Sequence, residues 1–187
     1  MKIPRIGRLS NQTLFLLLML AAACALRIWH LDRWLPQHYE EATPVLKANG
    51  FWDGANGPFD FNPHFFNYPA LFFYIHFAFQ ATWLLLSALS GQIASLAEFR
   101  HMLGTDLHRF VFLGRGVTLL FDLSTMVLVY LLGKRLSGER IGIIAALLLA
   151  CNNLHVRLSQ YVMVDVPLTF FIVLALSILW TLFVSHL

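Results

Sequence analysis

An all-α, polytopic membrane helix bundle is the fold class this sequence predicts, and three observations predict it. Of the 187 residues 58% are hydrophobic and 12% charged, with a mean hydropathy of +0.67. Soluble domains carry about 25% charged residues, so a cytosolic globule and a disordered chain are both excluded. Four stretches hold no Asp, Glu, Lys or Arg: Leu9 to Leu26, Phe61 to Ala97, Ile141 to Val156 and Val166 to Leu187. A bilayer core of roughly 30 Å takes about 20 apolar residues of helix, so such stretches read as spans. Between the first two lies a polar, proline-bearing segment, the mark of a loop outside the bilayer.

The first element is a helix from about Leu9 to Trp29. Lys2, Arg5 and Arg8 precede it and Arg27 closes it. The Ala21 to Ala25 stretch only partly matches an A-x-A cleavage site, so the helix reads as an uncleaved span rather than a signal peptide. Residues 31–68 then carry Pro36, Pro44, Pro58 and Pro63, with acids at Asp32, Glu40, Glu41, Asp53 and Asp60. The aromatics Phe51, Trp52, Phe59, Phe61, Phe65, Phe66 and Tyr68 make this a structured outer loop at the membrane interface, with short juxtamembrane helices. Pro69 to Leu89 is apolar enough to span, interrupted by His76 and Gln80. Gly114 to Gly133 is a strong span, followed by the basic link KRLSGER at 134–140. Ile141 to Val156 comes next, then a polar patch (Asn152, Asn153, His155, Arg157, Gln160, Asp165) and the last apolar run.

Basic clusters favour the cytoplasmic side, so the N-terminus and the 134–140 link should both lie inside, separated by an even number of crossings. That predicts about four spanning helices, with Pro69 to Leu89 as a re-entrant or interfacial helix. A simple crossing by that segment is the alternative, and it would put the link outside. On the first reading residues 1–187 are one membrane domain, and Asp165 emerges on the same outer face as Glu40 and Glu41.

A carboxylate at that face can act as a general base or hold a divalent metal against a phosphate. Alternatively, Glu40 and Glu41 are solvated loop charges, and Asp165, two residues before Pro167, caps a helix. Asp122 sits mid-span at a cost of about 2.5–3.5 kcal/mol, which calls for a partner inside the bundle. The sequence does not name that partner. Arg109 and Arg115 either snorkel to head groups or clamp a lipid phosphate. His38, His64 and His155 fall near the acidic patch, but no HExxH or paired spacing occurs, so the metal question stays open. Cys24 and Cys151 read as small buried hydrophobes. The formal net charge of +3 comes without a basic stripe, which argues against nucleic acid as a partner.

The blocks HYEEA (38–42), NPHFFNYPALFFY (62–74), GRGVTLLFDLSTMVLVYLLGKRLSG (114–138) and HVRLSQYVMVDVPLTFF (155–171) occur in this order. Together they resemble the N-terminal part of the phospholipid-carrier-dependent glycosyltransferases. These are the protein O-mannosyltransferase-like and aminoarabinose-transferase-like members of the GT-C superfamily, multi-pass proteins of the prokaryotic inner membrane. The resemblance implies a polyprenyl-phosphate sugar donor and transfer to an acceptor at the extracytoplasmic face. It further implies catalytic roles for Glu40, Glu41 and Asp165, with Arg115, His64, Tyr68, His155 and Gln160 contacting substrate. Glu40 replaces the family's usual Asp, and Gln160 stands where relatives have Arg. Such relatives run to several hundred residues, so this chain is expected to be the N-terminal part of an enzyme. The alternative is a non-catalytic transmembrane subunit packing against partner helices.

Overall fold

The computed structural model describes residues 11–29, 31–33, 35–36, 39–53 and 59–185. Lys2, Arg5, Arg8, His38 and Pro58 lie outside the described residues. Among those described, all regular structure is helical: α1 (Asn11–Ile28), α2 (Tyr39–Gly50), α3 (Ala70–Leu89), α4 (Leu96–Thr105), α5 (Leu107–Ser137), α6 (Glu139–Ala150), α7 (Asn153–Ser159) and α8 (Asp165–Ser185).

The long helix α5 organises the rest. Its 31 residues extend over about 46 Å at 1.5 Å per residue, more than a bilayer core, so its first turns project beyond the apolar layer. Helix α1 runs antiparallel to α5: Met19 packs with Tyr130, Ala23 with Met126, and Arg27 pairs with Asp122. Helix α6 folds back on α5 through Gly138, whose φ of 92° lies in the left-handed region that favours glycine. The two helices then approach so closely that a Cβ on Gly142 would sit 2.5 Å from the Tyr130 carbonyl oxygen. Helix α8 runs parallel to α5, with Phe121 against Phe170 and Phe171 near one end and Arg135 donating to Thr181 Oγ1 near the other.

The bundle therefore has two distinct ends. At the link end, the Gln12 side-chain amide lies 2.7 Å from Glu139 Oε2, to which it donates once its nitrogen and oxygen are exchanged. The start of α1 and the basic 134–140 link thus share one end, as an even number of crossings requires. At the loop end, α2, α3 and α4 pack on the projecting turns of α5. Their core includes Val45, Trp52, Phe72, Phe99, Phe110 and Val111.

Among the described residues three helices are long and apolar enough to cross a membrane: α3, α5 and α8. The bent pair α6 and α7 makes a fourth when counted as one span, and α1 is shorter. One detail differs from the sequence reading. The run from Ile141 does not continue to Val156 as one helix: it turns by 65° between α6 and α7, where the Asn152 side chain accepts from the His155 N–H at 2.9 Å and starts a new helix. Helix α3, although long enough to span, packs on α2, α4 and the first turns of α5 rather than beside the middle of α5. Its polar interruptions serve that packing. Gln80 accepts from Trp52 Nε1 at 2.8 Å and donates to Asn49 Oδ1 at 2.7 Å, and Asn49 donates to the Leu103 carbonyl at 3.1 Å. The His76 ring fits the space left by Gly114, with its Cε1 3.0 Å from where a Cβ there would stand.

Candidate functional site

The adjacent acids of α2 have opposite fates because neighbouring helical positions point about 100° apart. Glu41 is buried and Glu40 is exposed. Glu41 meets Arg115 side by side: Arg115 Nε donates to Oε1 at 2.5 Å and an Nη2 hydrogen to Oε2 at 2.9 Å. Arg115 Nη1 donates to the Leu31 and Arg33 carbonyls at 2.7 and 2.8 Å. At least four of the five guanidinium N–H groups are therefore occupied, Tyr161 covers the plane at 5.5 Å, and 1% of the residue is exposed. The Val162 N–H also reaches Glu41 Oε1 at 3.4 Å. One buried pair thus joins α2, α5, the segment after α1 and the link into α8. Arg115, expected to contact substrate, instead holds this knot, and Glu41 is its counter-ion.

Glu40 borders an open hollow of about 550 Å³ lined also by Thr43, Leu46, Lys47, Phe65, Asn67 and Tyr68. Tyr68 links the two ends of the sequence. Partial burial, then the charges of Glu40 and Asp165, push its phenol pKa above the usual value. Asp165 opens α8 and is exposed. Glu40, Tyr68 and Asp165, from α2, the segment before α3, and α8, therefore gather at the loop end. Against this group lies an apolar groove between α3 and α8, lined by Leu71, Phe72, Ile75, Pro167, Leu168 and Phe171.

The remaining candidates lie elsewhere. His64 adopts a φ of 47° in a turn where the Asn62 N–H donates to Asp60 Oδ1 and the His64 ring pairs with Asp60 Oδ2 at 2.9 Å. The Asn62 N–H, then His64, hold the Asp60 carboxyl below its usual pKa. Gln160 does not face the hollow: its amide nitrogen lies 3.1–3.4 Å from the Leu26, Arg27 and Trp29 carbonyls, capping α1. His155 turns into the bundle, its Nε2 2.7 Å from Asp122 Oδ1. Asp122 also forms a fully buried ion pair with Arg27, whose Nη1 donates to the Ala23 and Ala150 carbonyls at 3.2 and 3.4 Å. Arg27 is the partner the sequence left unnamed; the signal available was one cation at the end of an apolar helix that had to run antiparallel to α5. Lys47 was also passed over, being a single lysine in a polar loop. Among the described residues no group of three or more His, Cys, Asp or Glu is placed to hold a metal ion.

These features define a class: a helical membrane protein whose polar loop folds onto one end of the bundle and sets Glu40 at an aromatic-lined hollow, with Asp165 close enough to act on the Tyr68 phenol. Residues 107–186, which take in α5 to α8, match the family model described as dolichyl-phosphate-mannose-protein mannosyltransferase. The matched region contains Arg115, Asp122, His155, Gln160 and Asp165, while Glu40, Glu41 and Tyr68 precede it. No match was found among the curated proteins or solved structures compared.

Proposed function

We propose that this chain is part of a lipid-carrier-dependent glycosyltransferase of the inner membrane of a prokaryote. It moves a sugar from a polyprenyl-phosphate donor to a hydroxyl acceptor at the extracytoplasmic face. The observation that carries this reading is the match of residues 107–186 to a mannosyltransferase family model. The gathering of Glu40, Tyr68 and Asp165 supports it chemically.

In the proposed reaction the acceptor hydroxyl oxygen bonds to the anomeric carbon as the bond from that carbon to the phosphate oxygen breaks. The hydroxyl proton passes to the Glu40 carboxylate, and polyprenyl phosphate leaves with the electron pair. Asp165 lies close enough to act on the same Tyr68. The Glu41–Arg115 pair positions α2, and the groove between α3 and α8 offers apolar surface to the isoprenoid chain.

The topology that goes with this reading puts the loop end outside and the 134–140 link in the cytoplasm, since basic residues cluster there. Cysteine at Ser137, in a protein lacking Cys24 and Cys151, should be shielded from a membrane-impermeant thiol reagent in intact cells. Labelling of that cysteine from outside would reverse the orientation.

The direct test of function is transfer of labelled sugar from a polyprenyl-phosphate donor by the protein in proteoliposomes. Release of polyprenyl phosphate with label in the acceptor is the expected result. A folded protein that leaves every such donor intact favours the second reading, a non-catalytic subunit. The observation on that side is α8, whose most apolar 18-residue window has no fully buried residue, so its face away from α5 is open to lipid or to partner helices.

A further inference from the structure

The hollow beside Glu40 needs a cation if it receives a phosphate, and Arg115 does not supply one. That guanidinium is 1% exposed, spends both faces of its fork on Glu41 and gives its Nη1 hydrogens to the Leu31 and Arg33 carbonyls. The hollow does contain a cation, at Lys47. Glu40 and Lys47 are seven residues apart on α2, two turns along the same face, and both line the space of about 550 Å³ with Phe65, Asn67 and Tyr68. The Lys47 ammonium rests 4.9 Å from the Phe65 ring centroid, a contact that steers the charge without consuming its N–H donors. Among the described residues no carboxylate forms an ion pair with it. Phe66, 77% exposed, stands next to this rim and suits a surface that meets the lipid interface.

We propose that Lys47 is the phosphate-binding residue of the site, its ammonium holding the phosphate of the lipid carrier while Glu40 faces the sugar end. This rests on the lipid-donor reading above and sharpens it: the donor's charge is read by a lysine on α2, not by the arginine that opens α5. An ammonium donates to phosphate oxygens from a flexible stem, and such charge-assisted bonds discriminate strongly between an anionic head and a neutral one. Lys47 also lies in the last turn of α2, where a cation suits the helix dipole. The test must therefore read phosphate recognition rather than stability.

The experiment measures binding of three probes to the full chain in nanodiscs: a polyprenyl phosphate, the corresponding polyprenol, and inorganic phosphate. Wild type should prefer the phosphorylated lipid over the alcohol by about tenfold or more, the scale of one hydrogen bond to a charged group. Lys47→Gln should reduce that preference to within a few-fold with an unchanged melting temperature, and Lys47→Arg should retain most of it. Full preference in Lys47→Gln would overturn the role of Lys47 and leave the lipid-donor reading standing. A wild type that does not distinguish polyprenyl phosphate from polyprenol would overturn both. Inorganic phosphate bound as tightly as the lipid would overturn the assignment of the anion to a lipid carrier.

Discussion

Glu40→Gln should lower sugar transfer by at least about 10²-fold while donor binding stays within a few-fold. A positioned general base contributes typically 10²–10⁴-fold, and the amide keeps the side chain's shape but cannot take the acceptor's proton. Binding should survive because the affinity arises mostly from contacts to the lipid chain and the phosphate, which Glu40 does not make. Glu40 is exposed at the hollow, so its loss does not unfold the protein, and the deficit should appear in kcat. Glu40→Asp retains the carboxylate and should retain transfer, shifted only by the shorter reach. Initial rates at saturating donor in proteoliposomes, with circular dichroism to verify folding, read this directly. Unchanged turnover in Glu40→Gln would remove Glu40 from the base role and leave Asp165 as the carboxylate to examine.

Breaking the ion pair made by the neighbouring acid, Glu41, should behave in the opposite way. Arg115→Met leaves Glu41 in a fully buried position without its cation, and removing one partner of such a pair costs about 3–5 kcal/mol. Thermal unfolding in detergent should show a large fall in midpoint, accompanied by loss of donor binding as α2 loses its anchor. Joining it with Glu41→Leu should recover much of the lost stability, because two apolar side chains then replace the pair. Recovered stability need not bring back activity, since α2 would lose the bonds that orient Glu40. An Arg115→Met protein as stable as wild type would contradict the structural role given to the pair.

These contrasting expectations for Glu40 and Glu41 show where the sequence was readable and where it was not. The apolar runs of α5 and α8 stand out because burial in lipid forbids charges over a whole span. The common end of the α1 start and the 134–140 link followed from counting basic clusters, and the antiparallel packing of α1 on α5 agrees with it. The break at Asn152 was visible only as a polar patch, since whether such a patch ends a helix depends on what it caps. The acid pair was legible as a candidate site but its division of labour was not. That division depends on which face of α2 meets Arg115, 74 residues away, and no local pattern encodes it. The same holds for Asp122 and Arg27: each looks costly in isolation, and only the register between α1 and α5 brings them together. Gln160 and His155 read as site residues from the family resemblance, and His155 also from its expected place near the acidic patch. The turn through α7 points them instead at the carbonyls ending α1 and at Asp122.

The account's central claim is that carboxylates from α2 and α8 share one extracytoplasmic site. The most direct measurement places cysteines at Glu40 and Asp165 in a protein lacking Cys24 and Cys151. Intact cells are then treated with a short, membrane-impermeant bifunctional thiol reagent. The account predicts that each single cysteine is labelled from outside and that the double variant is bridged within one chain. Labelling of both positions without a bridge, or protection of either from the external reagent, would contradict it.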